Sequence, residues 1–494
     1  MAKSHDEVIV PQYSLGQPPR RTGLGGLSMA TTAVIAAGFM IFLLVQFSGL
    51  GFGVGFIVLL LTALAAALIS VQWGNRSIAT MLRMLGQDFS RRRAGEDVYL
   101  SGVLSKVPGG FHRLPGTLAR TYVVDAVDTD NQPFAAIVDA PARTATVLFD
   151  CQLTGQTPMT QEERNQKTAE WSRWLALLSL SGDINHVAIV VGHRPGTGQL
   201  VAQEVDSILE DDVPPVAAQI MREAGQYLSI GVPEIVSHIA VTFHIDGESL
   251  KDNSFLGQLA TRLPGMYRQL AWAGMIATPM NGDEVVARAH SFVNPAAEAD
   301  LEELQVLGTS HGLAWEDAGP GYARTTTSAY EHKGCSSVSW EMKDAPRSTF
   351  EDTLLTGLLS PHERIERHRV ALIYRPYEAG KGVSKVEGEH RDAMVAANSS
   401  KSIRSANAEL RLEHTEAARR AQARGAQLGR YSLFVTATVS DKAQLDRVSQ
   451  DIQQLAAGAS IRLAKMTRQQ DTGFITTCGL GQVPWDKEQT TELI

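Results

Sequence analysis

The chain of 494 residues carries 45 Lys and Arg against 53 Asp and Glu, a formal charge of −8 at pH 7, which excludes the bulk basicity expected of a nucleic-acid-binding body. Its length suffices for two or three substantial cores once an anchor is set aside. Cys151, Cys335 and Cys478 are far apart and form no C-x-x-C pair, so they offer neither a zinc cluster nor a disulfide framework and fit a reducing compartment.

Residues 1–21 read as a polar cytoplasmic tail with Pro11, Pro18 and Pro19. No charged residue lies between Arg21 and Arg76, a stretch far longer than the about 20 apolar residues of one bilayer crossing. Residues 22–75 are therefore expected to form a transmembrane helical hairpin, with spans near Ser28–Phe47 and Val54–Trp73 and a reversal at Gly49, Gly51 and Gly53. Arg20 and Arg21 precede the hairpin and Arg76, Arg83 and Arg91 to Arg93 follow it, so both termini are expected in the cytoplasm, beneath the inner or plasma membrane. Residues 76–97 read as a juxtamembrane helix with Ile78, Met81, Leu82 and Leu85 at helical spacing; it either lies along anionic lipid or serves as a solvated linker.

The texture changes at residue 98, and short β-type runs between Pro and Gly turns predict a small β-rich subdomain over 98–153. Alternating strands and helices then predict an α/β domain over 154–330. It comprises a helix at Gln161–Leu180 with Trp171 and Trp174, strands HVAIVVGH and EIVSHIAVTFHI flanking a helix at Pro214–Leu228, and helices at Ser254–Met275, interrupted at Pro264, Asp283–Ala289 and Glu298–Leu304. Ala318–Tyr330 reads as a loop. The same rhythm returns over 331–494: strand VSWEM, helix FEDTLLTGLLS, strand RVALIYRP, a long helix, strand YSLFVTATVS, helix DKAQLDRVSQDIQQLAAG and strand IRLAKM. The fold class expected is α+β, an anchored body of ferredoxin-like α/β sandwiches of the split β-α-β kind. An Ala-, Arg- and Glu-rich insertion over 389–430 should be helical, with a thin apolar stripe suited either to a partner or to a solvated crossover.

The motifs that resemble chemistry each lack an essential residue. EAGKG at Glu378–Gly382 would need glycine at Arg375 and a hydroxyl at Gly382 to form a phosphate loop, and HRPGTG at His193–Gly198 lacks the phosphate-reaching lysine. HERIERH at His362–His368 has Glu366 where the second zinc-binding histidine belongs. Asp211 and Asp212 read as a solvated turn. The sequence thus assigns no catalytic, cofactor or metal residue, and an anchored enzyme has no constellation to support it.

The order of LSKVPGGFHRLPGTLA, the Trp171 and Trp174 helix, LATRLPGMYRQLAWAGM and the run Ser339–Tyr377 resembles the actinobacterial integral-membrane proteins encoded with conjugation and type IV secretion components. In that run Trp340, Pro346, Leu359, Pro361, Arg369, Tyr374, Arg375 and Pro376 carry the resemblance. It implies a VirB-type membrane hairpin fused to the amino-terminal domain of the VirB/TrbE-class ATPase without its motor domain. Such a protein is a scaffold in a multi-subunit complex; its partners are the secretion ATPase, other channel subunits and membrane lipid, without sequence-specific nucleic acid. A membrane subunit of a type VII secretion apparatus is the alternative.

Overall fold

The computed structural model describes residues 10–15, 29–49, 51–73, 76–105, 112–153, 159–210, 212–227, 231–346, 348–398 and 406–485. Most of the expected tail, the beginning of the first expected span at Ser28, and part of LSKVPGGFHRLPGT lie outside these residues, as does Asp211. The chain divides into two units, one of residues 17–97 with 484–494 and one of residues 1–16 with 98–483.

In the first unit α1 (Met29–Phe47) and α2 (Phe52–Ser70) contain no charged residue. Gly49 and Gly51 have φ of 74° and 87° in the link between them, a region that L side chains avoid. A Cβ on Gly38 would overlap Thr62, and one on Gly55 would overlap Gln46 and Phe42, so bare backbone allows the helices to approach closely. Among the described residues α2 is the one helix long and apolar enough to cross a membrane; Thr31–Phe47 is a shorter apolar stretch. The hairpin β1 (Gln72–Trp73) and β2 (Arg76–Ser77) leads to α3 (Ile78–Ala94). Ser77 caps the start of α3 by accepting from the Thr80 N–H, and left-handed Gly95 ends it. Arg91 to Arg93 occupy the last turn, where cations meet the negative end of the helix dipole, while Met81, Leu82 and Leu85 are exposed.

Among the described residues the second unit is built on one 13-stranded sheet whose pairings are all antiparallel. In chain order its elements begin β3 (Val98–Leu100), β4 (Thr121–Val127), β5 (Pro133–Asp139), β6 (Thr144–Leu153), α4 (Gln161–Leu180), β7 (Ile184–Pro195), α5 (Gln199–Ile208) and α6 (Pro215–Tyr227). They continue with β8 (Pro233–His244), α7 (Ser249–Asp252), α8 (Phe255–Trp272), β9 (Met275–Pro279), α9 (Gly282–Val293), α10 (Glu298–Val306), β10 (Tyr322–Thr325), β11 (Tyr330–His332) and β12 (Cys335–Asp344). The last are α11 (Thr356–Leu359), β13 (Arg367–Pro376), α12 (Ala379–Asn398), α13 (Ala406–Ala423), β14 (Gly429–Val439), α14 (Leu445–Gly458), β15 (Arg462–Lys465) and α15 (Gln470–Cys478).

Two stretches share one plan: strand, helix, strand, helical pair, strand, helix, strand, helix, running from β6 to α9 and again from β12 to α15. Within each, the last strand pairs with the first, the first with the third and the third with the second, giving β9-β6-β8-β7 and β15-β12-β14-β13. The halves join through β7 and β13, from His193 opposite His368 to Val187 opposite Tyr374. The outer edge of β6 is shared between β5 and β9, and that of β12 between β11 and β15. The segment 98–153 therefore supplies both ends of this same sheet, β3 and β4, and in β6 the first strand of the first repeat, and residue 330 falls at the start of β11.

Strand alternation separates two unlike faces. Odd residues of β6 and β8, among them Phe149, Ile239 and Phe243, pack with Trp174 of α4 and Leu259 and Leu263 of α8. Val338, Trp340, Val370 and Val435 pack with Leu358 of α11 and Val448 and Ile452 of α14. The opposite face carries α9 and α15 over a polar layer whose buried hydroxyls satisfy one another: Ser337 with Thr438, Ser339 with Thr436, and Thr477 with Thr436. A Cβ on Gly473 would sit 2.5 Å from the Ser339 Cβ, so glycine lets α15 rest directly on this layer.

Several elements differ from the sequence expectation. α8 runs through Pro264 without interruption, because the Ala260 carbonyl that loses its helical donor accepts from the Thr129 N–H at 3.2 Å instead. FEDTLLTGLLS yields only the single turn α11, held by fully buried Leu358. Met275, expected at a helix end, begins β9, and the expected loop at Ala318–Tyr330 contains β10. α5 and α15 are helices that the sequence reading did not anticipate.

Candidate functional site

The structure assigns local roles to the sequence motifs. EAGKG opens α12 as a helical turn with Lys381 paired to Glu378 at 2.9 Å, and HRPGTG carries the chain from β7 into α5, with left-handed Gly198 as N-cap. His362 precedes β13 while His368 lies within it, and among the described residues no three His, Cys, Asp or Glu side chains form a metal-ligand group. Trp340 and Tyr374 are core residues. The 389–430 insertion begins earlier, as α12, in which Val386, His390, Ala393 and Ala397 are buried and His390 Nδ1 lies 3.2 Å from the Thr415 hydroxyl of α13; of its large apolar residues Met394 and Leu410 are exposed.

The groups brought together in space lie where β7 and β13 meet. His193 and His368 oppose each other in the ladder, with rings edge to face at 4.1 Å. Burial pushes His193 down to about 3 and His368 to about 4, so both are neutral at pH 7. His368 Nε2 donates to the Leu358 carbonyl at 2.8 Å, and neither nitrogen of His193 has a hydrogen-bond partner.

On the polar face α9 and the chain leading into α10 close over the same strands and leave a cavity of ≈ 50 Å³, bordered by Gly192, His238, Arg288, Phe292, Glu298 and Arg369 among others. Strand periodicity brings Arg367 and Arg369 to this face, since Val370 and Leu372 belong to the apolar one. Three cations at the cavity have carboxylate partners. Arg288 meets Asp150 at 2.8 Å, Arg194 meets Glu234 at 3.1 Å together with Glu298 and Glu302, and Arg367 meets Glu298. Buried Glu298 thus bridges Arg194 and Arg367.

Arg369 differs from all three. It is 8% exposed, and among the described residues no carboxylate lies within ion-pair distance. Its guanidinium carbon lies 4.5 Å from the Phe292 ring centre and 4.9 Å from that of Phe474. Nη2 reaches only the Cys478 sulfur, at 3.8 Å, and Nε has no partner. Burial draws its pKa downward. It also pushes the Cys478 thiol up to about 11, so that group stays a thiol beside the cation. His238, brought to about 3 by burial, is a neutral imidazole with Nε2 3.1 Å from the Cys478 carbonyl.

Arg369 entered the sequence reading only as a part of the resemblance, and Arg288, Phe292 and Glu298 did not enter it as a site. A charge inside the strand run RVALIYRP was the available signal; its partners come from α9 and α15, distant in sequence. No protein-family model and no curated protein matches the chain.

Proposed function

We propose that this chain is a membrane-anchored scaffold subunit of a conjugative type IV secretion system, docking a separate secretion ATPase to the membrane channel. α1 and α2 act as two spans: at 1.5 Å per residue a 19-residue helix is about 28 Å long, close to the about 30 Å hydrocarbon core of a bilayer. Both termini and the sheet unit lie in the cytoplasm, and α3 keeps its arginines near anionic lipid. The two repeats of the sheet are ferredoxin-like sandwiches in the last-first-third-second strand order. The resemblance of Ser339–Tyr377 supports the secretion assignment.

The observation that carries the scaffold reading is the surface of α5 and α6. Val216 and Tyr227 are each 71% exposed, and Ile208 and Ile220 are exposed beside them. The stretch 199–227 carries Glu204, Asp206, Glu210, Asp211, Asp212 and Glu223 against the single cation Arg222. Exposed apolar side chains on a net acidic stretch, in which Asp206 is already paired with Arg222, suit a partner surface that is apolar and basic. Affinity purification of the detergent-solubilised protein from its native host tests the reading. A secretion ATPase and channel subunits should co-purify, and recovery of type VII components or of the chain alone would contradict it.

A further inference from the structure

We propose that the cavity beside Arg369 binds one small free oxyanion, of the phosphate or carboxylate kind, through guanidinium nitrogens of Arg369, Arg288 and Arg367. A guanidinium stays protonated in proteins and presents five N–H donors, and leaving a buried charge without a counter-ion is strongly destabilising. Phe292 and Phe474 interact favourably with the cation but accept none of its in-plane N–H bonds, and the sulfur of the Cys478 thiol is a weak acceptor at 3.8 Å.

The missing acceptor has room to sit. Arg369 Nε, Arg288 Nη1 and Arg367 Nε are buried nitrogens without a hydrogen-bond partner, the last with the Glu366 carboxylate 3.9 Å away, and all three residues border the one cavity. At about 10–15 Å³ for each water-sized occupant, ≈ 50 Å³ holds about three to five, comparable to the oxygens of a tetrahedral oxyanion or to a carboxylate with one water. Gly192 makes room for the Arg369 side chain at the cavity, because a Cβ there would lie 3.0 Å from the Arg369 Cγ. Glu298 borders the same cavity and is already shared by two arginines, so a singly charged anion is favoured over a doubly charged one. Planar, forked donors suit carboxylate and phosphate oxygens better than a spherical halide.

The test uses the full chain in detergent at constant ionic strength set with sodium chloride, titrated with inorganic phosphate or acetate. Thermal unfolding is followed, and equilibrium dialysis with radiolabelled phosphate measures stoichiometry. The expected result is one saturable site per chain and a saturable rise of about 2 °C or more in the unfolding midpoint. Arg369→Met should abolish both responses, and Arg288→Gln should weaken apparent affinity about 10-fold. Should Arg369→Met fail to fold, Arg288→Gln decides. Absence of saturable binding in the native chain means that water alone fills the cavity and overturns the proposal. Binding unchanged in Arg288→Gln, or in a folded Arg369→Met, identifies an adventitious ion only and overturns it equally.

Discussion

The two helical pairs inserted in the repeats occupy equivalent places in the chain, between the second and third strands, yet they present opposite surfaces. α5 and α6, of 10 and 13 residues, expose Val201, Ile208, Val216, Ile220, Met221 and Tyr227 within an acidic stretch. α12 and α13, of 20 and 18 residues, expose Val383, Met394, Val395 and Leu410, and residues 379–423 carry eight Lys and Arg against six Asp and Glu. Because β7 and β13 are antiparallel, with His193 near the end of one opposite His368 near the start of the other, the pairs leave from opposite ends of the strands. Among the described residues the shorter, net acidic pair exposes six large apolar side chains over its 23 residues, and the longer, net basic pair four over its 38. Equivalent topology thus fixes where a helical pair emerges, and its side chains decide whether it is structural or available for docking.

The largest expected effect removes the sheet on which both pairs stand. His186, His193 and His238 are held down to about 3, and His332 and His368 to about 4, chiefly by burial. Each binds a proton in the unfolded chain below about pH 6.5 but stays neutral in the folded one, so stability is full above that pH and falls from there toward pH 4. The slope approaches on the order of 1 kcal/mol per histidine per pH unit. Thermal unfolding between pH 7.5 and 4.5 should show this decline, and a flat profile would mean that water reaches these imidazoles.

The next effect separates the two surfaces. Val216→Asp with Ile220→Asp should reduce recovery of the partner at least 10-fold while leaving the unfolding midpoint nearly unchanged, since both side chains are exposed. A matching loss of thermal stability would show instead that the patch covers a core. In the other pair, Ala393→Leu places extra methylenes at a position that is 1% exposed and should destabilise α12 and α13 by about 1–3 kcal/mol, read by thermal unfolding and hydrogen exchange, with the partner still recovered. The smallest effect is that of Glu416→Ala, which removes an exposed ion pair with Arg420 one turn away and should change stability by only about 0.3–0.5 kcal/mol.

The alternating rhythm that ran from HVAIVVGH to IRLAKM was legible because period-2 apolar runs and period-3.6 stripes are local properties. What pairs with what was not, because the merger of 98–153 with the later strands and the β7·β13 junction depend on contacts across the whole chain. Pro264 reads as a break because the rescue of the Ala260 carbonyl comes from Thr129, far away in sequence. The insertion at 389–430 was legible as helical, but its stripe was legible only as thin. That Val386, His390, Ala393 and Ala397 are buried while Met394 and Leu410 are exposed depends on what packs against α12, α13 among it through His390 and Thr415. The cavity was hidden for the same reason: Arg369, Phe292 and Phe474 lie on three elements and none forms a motif with its sequence neighbours.

The central claim, that the acidic and apolar pair is the docking surface, is tested most directly by two replacements in the full-length protein. Residues 199–227 and residues 379–423 are each exchanged for a flexible Gly/Ser linker, and the secretion ATPase that co-purifies with each folded variant is quantified against the native chain. The account predicts loss of the ATPase on replacing 199–227 and its retention on replacing 379–423. The reverse pattern, or retention in both, would contradict it.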